Sequence, residues 1–327
     1  MMTRMDNSRF LITGATGLIG SALVNYLPTC FSNVQMVLPV RNKTKAESMF
    51  ADSANVIIVD CDLLTTDFEF AQDVDYIVHC ASPTASAYFV EHPVETYNSV
   101  LLPSLHLLQY TTRHTVKGFV YLSSLEVYGT ILDDGNALPE EAIGHVDLTS
   151  PRSSYPLAKC AVEHLCALYA HQYQVPVTVA RLTQTTGLGV SFEDNRVINA
   201  FCRAASQNED IILYTTGESS RPYCHIDDAI SAILLLLEKG VKGETYNVAN
   251  ESTFISAYNL ALFIKEHLNP SINVKVDLKK DVPYAPPTNI RMSTSKLQAL
   301  GWMPQHSLED ICKDLFNHYR SLQTYAK

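Results

Sequence analysis

The sequence predicts an α/β protein: a doubly wound parallel sheet with helices on both faces, and a smaller α/β domain towards the carboxyl end. Two observations carry this. Strand-like apolar runs recur at 9–13, 34–38, 56–60, 75–79, 117–122 and 176–181, with helical patterns between most of them. Such alternation is what parallel strands joined by crossover helices require. After Arg181 the pattern changes, so residues 1–182 plus 222–250 are expected to form the sheet domain. Residues 183–221 plus 251–327 are expected to form the smaller one.

The first run, Arg9 to Thr13, leads at once into Gly14-Ala-Thr-Gly17-Leu-Ile-Gly20, and a helix is expected after it. Glycines permit a tight turn and close backbone approach, while a helix amino terminus presents free N–H groups to an anion. The strand before and the helix after make this a dinucleotide cradle rather than a plain glycine turn. The second run ends in Val37-Leu-Pro-Val-Arg41-Asn-Lys43, without the acid that commonly binds the adenosine ribose hydroxyls. Arg41, with Lys43 or Lys45, is placed to meet a 2′-phosphate, so NAD and NADP both stand open.

The fifth run enters Ser123-Ser124-Leu125-Glu126-Val-Tyr-Gly129, and a polar stretch over 133–152 precedes Tyr155-Pro-Leu-Ala-Lys159. A tyrosine and a lysine four apart share one helix face. A free phenol, with a pKa of about 10, is a poor base near neutrality, and a nearby cation favours the phenolate.

Composition narrows the classes. Apolar residues make up 46% and charged residues 18% of the 327, as in an ordinary globule. A net charge of −10 argues against nonspecific nucleic-acid binding, which needs a basic surface. The eight cysteines show no C-x-x-C spacing, so reduced thiols and a cytoplasmic setting are expected. No metal cluster stands out among the eleven histidines, and His164 and His171 on one helix face are expected to pack rather than ligate. The apolar run at 232–237 is too short for a span of about 20 residues, so no membrane segment is expected.

In their order and spacing these motifs resemble the extended short-chain dehydrogenase/reductase family, and within it the nucleotide-sugar epimerases, dehydratases and decarboxylases. The likeness also takes in Asp60-Cys-Asp62-Leu63, His79-Cys-Ala81-Ser82, Asn98, Arg221-Pro-Tyr-Cys-His-Ile-Asp-Asp228 and Gly243-Glu-Thr-Tyr-Asn-Val248. It implies a Rossmann domain whose cofactor is held by Gly14, Thr16, Gly17, Leu18, Ile19, Gly20, Asp62, Leu63, Ala81, Ser82 and Asn98. It implies Tyr155 as acid/base, Lys159 on the nicotinamide ribose and Ser124 on the reacting oxygen. Glu126 matches a glutamate that takes a C5 proton; the lesser alternative is a carboxylate paired with a neighbouring loop. Leu125 stands where the dehydratases carry an aspartate, and leucine has no proton to donate.

For a nucleoside-diphosphate sugar, Arg221 matches the diphosphate-gripping arginine, with Gln184, Asn195, Arg196 and Arg291 as further contacts. Ala285-Pro-Pro287 replaces the family's Arg-Pro-Gly. The resemblance also implies a homodimer through apolar stripes on two helices, Leu101, Leu105 and Leu108 with Leu165, Leu168 and Tyr169. Two other readings stay open: an NADPH-dependent reductase of a 4-keto sugar, and a non-catalytic cofactor-sensing or scaffold protein.

Overall fold

A computed structural model describes residues 5–65, 73–131, 135–278 and 288–325, with side chains to 322. Ala285–Pro287 therefore lies outside the described residues. The chain runs β1 (Arg9–Thr13), α1 (Leu18–Cys30), β2 (Gln35–Val40), α2 (Lys43–Met49), β3 (Val56–Asp60), β4 (Tyr76–His79), α3 (Ser86–Glu91), α4 (Pro93–Arg113) and β5 (Gly118–Ser124). Two 3-10 turns, Leu125–Tyr128 and Pro151–Ser153, precede α5 (Ser154–Tyr173) and β6 (Val177–Leu182). Next come β7 (Gln184–Thr186), α6 (Val197–Ser206), β8 (Ile211–Leu213), β9 (Ser220–His225), α7 (Ile226–Lys239) and β10 (Thr245–Val248). The described chain closes with β11 (Asn250–Ser256), α8 (Ala257–Leu268), β12 (Val274–Val276), α9 (Ser295–Gln298) and α10 (Leu308–Tyr325).

Seven strands form one sheet in the order β10-β6-β5-β4-β1-β2-β3, each neighbouring pair parallel. All six expected runs are in it. Its seventh strand, β10, is only four residues long and was not among them. Successive side chains of a strand face opposite ways, and β1 shows the result. Phe10 and Ile12 join a core with α1 and α7, while Leu11 joins another with α4 and α5. Burial on both faces explains why the inner strands are mostly apolar along their whole length. The strand order reverses between β1 and β4, and ligands of such sheets bind in that crevice, at the carboxyl ends of the strands.

A smaller sheet, β11-β9-β7, stands beside this one, with a two-stranded pair, β12-β8. A separate core joins α6, α8 and α10 through Ile198, Phe201, Leu260, Ile264, Ile311 and Leu315. A fourth small cluster matters for chemistry: Leu125 and Tyr128 pack there against Leu138, Ala249, Ile290 and Met292.

Candidate active site

The glycine turn joins β1 to α1, whose first turn begins at Leu18 with Gly17 as cap. The helix therefore begins inside the glycine motif rather than after it, and Leu18 and Ile19 pack on the core beneath it. Gly14 has φ +64°, and a Cβ there would stand 2.8 Å from the Ala81 nitrogen. No other residue type fits that approach. Cap Gly17 contributes no side-chain hydrogen bond to the helix amino terminus. A narrow turn with free N–H groups fits a dinucleotide pyrophosphate.

One chain of hydrogen bonds ties this cradle to its neighbours, and its direction comes from donor counting. Ser104 Oγ donates to the Val100 carbonyl at 2.7 Å, so it must accept from His79 Nε2 at 3.0 Å. His79 Nδ1 then accepts from Thr13 Oγ1 at 2.6 Å, and Thr13 accepts from the Ala81 N–H at 3.1 Å. Burial, with the Lys159 charge adding to it, drives the imidazole pKa down to about 3. His79 is thus a neutral structural link, a role its motif did not announce.

Around the adenosine end, Asp62 turns the chain by accepting from the Leu64 N–H at 3.0 Å, and buried Leu63 offers its carbonyl to His106 Nδ1. Arg41 is exposed and uncommitted among the described residues. Lys45 Nζ reaches the Thr16 carbonyl at 3.5 Å. Lys43 pairs instead with Glu47 at 3.7 Å. Asn98 lies exposed on α4.

Tyr155 and Lys159 sit on the first turns of α5, against the end of β5. The Tyr155 ring stacks on Phe89, centroids 4.4 Å apart and planes within 3°. Burial pushes its phenol well above the usual range and Glu126 pushes it further, while the hydroxyls of Ser124 and Ser82 and the charge of Arg152 pull it back. Lys159 works at more distance. Its Nζ donates to the Leu122 carbonyl at 2.7 Å, lying 4.7 Å from the Tyr121 ring centre and 5.6 Å from that of Tyr155. Burial lowers the ammonium pKa to about 7, and Glu163, one turn on, only partly offsets this. Glu163 is spent elsewhere: it accepts from Ser123 Oγ at 2.5 Å and pairs with Arg181 at 2.7 Å.

Ser124 has two duties. Its hydroxyl serves the Tyr155 phenol and also caps the next turn, accepting from the Glu126 N–H at 3.2 Å. Glu126 meets a residue the motif reading missed: both its oxygens are held by the fork of Arg152, at 2.9 and 3.0 Å. Arg152 lies three residues before Tyr155, and its only sequence signal is that proximity. The pair is about one-third exposed on each side, so it adds about 1 kcal/mol at most to folding. Leu125 is only 4% exposed, seated in its apolar cluster.

The remaining substrate candidates scatter. Arg196 is held by Asp194 and by the Thr185 carbonyl, at 2.8 Å each, and Asn195 accepts from Arg203. Arg291 lies over the Phe254 ring at 3.9 Å. Half-buried Arg221 has no hydrogen-bond or ion-pair partner among the described residues. Gln184 Oε1 is buried without a hydrogen-bond partner. Arg221 is thus free to meet anionic oxygens, and Gln184 Oε1, an acceptor, is poised for a ligand hydroxyl or N–H, since buried polar groups are rarely left unpaired.

His164 and His171 are exposed rather than packed. Another histidine group, His225 and His306 with Asp227, brings ligand atoms within 4.8 Å of one another. However, His225 Nδ1 already accepts from the Asp227 N–H, and the two rings stack 4.0 Å apart. Their lone pairs run side by side rather than converging as metal ligation requires.

A phosphate cradle at the sheet's reversal point, feeding a buried Tyr/Lys pair with a strand-end serine, defines an extended short-chain dehydrogenase/reductase. The chain belongs, more narrowly, to the NAD dependent epimerase/dehydratase family, whose profile matches residues 10–249. It is 28% identical to UDP-glucuronic acid decarboxylase 5 of Arabidopsis thaliana, covering 93% of this chain and 87% of that one. It is 26% identical to the dTDP-D-glucose 4,6-dehydratase of Dictyostelium discoideum, covering 97% and 82%. Its fold matches the UDP-glucuronic acid 4-epimerase of Bacillus cereus solved with UDP-glucuronic acid and NAD, at TM-score 0.82, 21% identity and 96% and 99% coverage. The sequence expectations of family, fold, enzyme class and nicotinamide dinucleotide cofactor are borne out. Among the described residues, no helix is long and apolar enough to cross a membrane.

Proposed function

We propose that the chain oxidises C4 of a nucleoside-diphosphate sugar, rearranges the resulting ketone and returns the hydride. A bound nicotinamide supplies hydride acceptance and return at C4. Tyr155 takes the C4 hydroxyl proton with Ser124 bound to the same oxygen, and Lys159 holds the ribose. The ketone acidifies the C5 hydrogen, which Glu126 removes as a proton and restores after rearrangement. Arg221, whose guanidinium has no hydrogen-bond or ion-pair partner among the described residues, grips the diphosphate. Gln184, Arg196, Asn195 and Arg291 line the sugar and nucleotide side. The observation that carries this reading is a carboxylate at the same site: Glu126, on the turn after β5, acts on the Tyr155 phenol closely enough to raise its pKa, as a second acid/base group would.

Buried Leu125 argues against simple 4,6-dehydration, which needs a proton donor there, and leaves epimerisation at C5, or a decarboxylation in which the C5–C6 bond breaks and Glu126 only delivers a proton to C5. For cofactor we infer NADP, since Arg41 is uncommitted and β2 ends without an acid. We divide the chain into a Rossmann domain, 1–182 plus 222–250, and a substrate domain, 183–221 plus 251–327, the latter supported by its own core. Leu168 remains 46% exposed on α5, with Leu101, Leu165 and Tyr169 partly buried beside it, which supports a homodimer through α4 and α5. A monomer mass by light scattering at micromolar concentration overturns the dimer. Eight unpaired cysteines agree with a reducing cytoplasm.

The two-pronged hold of Arg152 on Glu126 favours one rival, a 4-keto-sugar reductase in which that carboxylate is structural. Glu126→Gln separates them on a panel of UDP-, dTDP-, CDP- and GDP-sugars. Under our reading the variant accumulates enzyme-bound reduced cofactor, absorbing near 340 nm, and loses solvent deuterium exchange at C5. Undiminished exchange removes Glu126 from the mechanism, and one-for-one cofactor consumption by the wild type favours the reductase.

A further inference from the structure

Three separate segments bring one guanidinium to the proton-handling groups. The 3-10 turn Pro151–Ser153 carries Arg152 and runs directly into α5, so Arg152 and Tyr155 lie about one helical turn apart. The turn after β5 carries Glu126, and the short helix α3 carries Phe89. Arg152 joins all three. Its fork takes both Glu126 oxygens at 2.9 and 3.0 Å, and its guanidinium carbon lies 5.1 Å from the Phe89 ring centre. Phe89 in turn stacks flat on Tyr155, and its carbonyl accepts from Ser154 Oγ at 3.2 Å, the residue beside Tyr155.

We propose that Arg152 is a positioning residue, which clamps Glu126 beside Tyr155 while its guanidinium rests over Phe89. This rests on the proposed function, in which Glu126 takes the C5 proton. Only a planar fork can engage both oxygens of a carboxylate and lie over a ring at once; lysine supplies the charge without that geometry. While both oxygens are engaged the carboxylate is held in one orientation. One oxygen must slip free to take a proton, and the other bond keeps the group in place as it does so.

The charge balance around the phenol agrees. Glu126 and Ser124 face Tyr155 from the end of β5, Arg152 from the turn before α5, and Ser82 from the loop after β4. Lys159 faces it from its own helix, and Tyr121 and Phe89 flank it. Glu126 drives the phenol pKa up and Arg152 drives it down. Removing Arg152 therefore leaves the Glu126 charge uncompensated beside a group that must itself ionise.

The test uses the full chain loaded with cofactor, and any sugar of the panel that the wild type turns over. Arg152→Met is expected to lose about 30-fold or more in kcat, with KM changed less than about threefold, and to move the rising limb of its pH profile upward. Arg152→Lys is expected to return the limb towards its original position and recover part of kcat. The decisive arm is the double variant, read on the first hydride transfer near 340 nm: in the Glu126→Gln background, which stalls after that step, Arg152→Met should slow the appearance of reduced cofactor by less than about twofold. Two results overturn the proposal alone: Arg152→Met within twofold of wild type, or its full loss persisting without the Glu126 carboxylate, which puts Arg152 on the substrate instead. A wild type that turns over no sugar of the panel overturns the functional reading, and this proposal falls with it.

Discussion

Under the proposed function the site has a cofactor side and a sugar side, and the two are built on different principles. On the cofactor side, Thr13, His79, Ser104, Tyr155 and Lys159 are all buried, and the hydrogen bonds of His79 run in one fixed direction. On the sugar side, Glu126, Arg152, Arg196 and Arg221 are half-buried and charged, and each is either held by a side chain that another could replace or held by none. Buried, satisfied networks are costly to alter because every change leaves an orphaned group. Half-exposed ion pairs are cheap to exchange. Hydride transfer, common to epimerisation, decarboxylation, dehydration and reduction at C4, thus rests on the rigid side. The steps that distinguish those reactions rest on the exchangeable side.

Variants on either side sharpen that contrast. Tyr155→Phe strikes the rigid side and should lower turnover by about 10²–10⁴-fold while cofactor still binds. A variant keeping more than about a tenth of the wild-type rate rules out Tyr155 as the acid/base.

The next effect is on stability. The Lys159 pKa is lowered from 10.5 to about 7 by burial. Between those values the unfolded chain holds the proton and the folded one releases it, so stability rises with pH across that window, and the penalty is full below about pH 7. At about 1.4 kcal/mol per unit, Lys159→Met without cofactor should be more stable than wild type at pH 6 by on the order of 2–4 kcal/mol, the gap closing towards pH 10. Urea unfolding at three pH values measures it, and a gap that does not narrow shows that the ammonium is not desolvated in solution.

Arg41→Asp, at the exposed rim, should give the smallest change, a shift of about tenfold from NADP(H) towards NAD(H), about 1.4 kcal/mol. A binding titration with an unchanged ratio places Arg41 away from the ribose.

The same contrast decides what the sequence revealed. The rigid side was legible because its parts are contiguous: the glycine turn, the strand-end serine and the Tyr/Lys helix face each read from a few neighbouring residues. Six of the seven strands of the main sheet were legible as apolar runs; β10, Thr245-Tyr-Asn-Val248, has a threonine and an asparagine among its four residues and does not read as one. Arg152 and Phe89 were not legible, since Arg152 meets Glu126 26 positions away and Phe89 reaches Tyr155 only through the fold. Nor was the tie between Thr13 and His79, 66 positions apart. Lys159 taught the opposite lesson: the spacing from Tyr155 was right, but its ammonium is spent on the Leu122 carbonyl rather than set directly against the phenol.

Leu125 carries a consequence for how this site can change over evolutionary time. Because it is wedged between Tyr128, Leu138, Ile290 and Met292, an aspartate there would be stranded in hydrocarbon, charged without a partner or neutral and still lacking one. A single substitution would therefore remove a packing contact before it supplied a working acid. Any lineage moving between this chemistry and dehydration has to loosen the residues from Leu138 and 290–292 first, so the barrier between the two activities lies in segments distant from the catalytic turn in the chain.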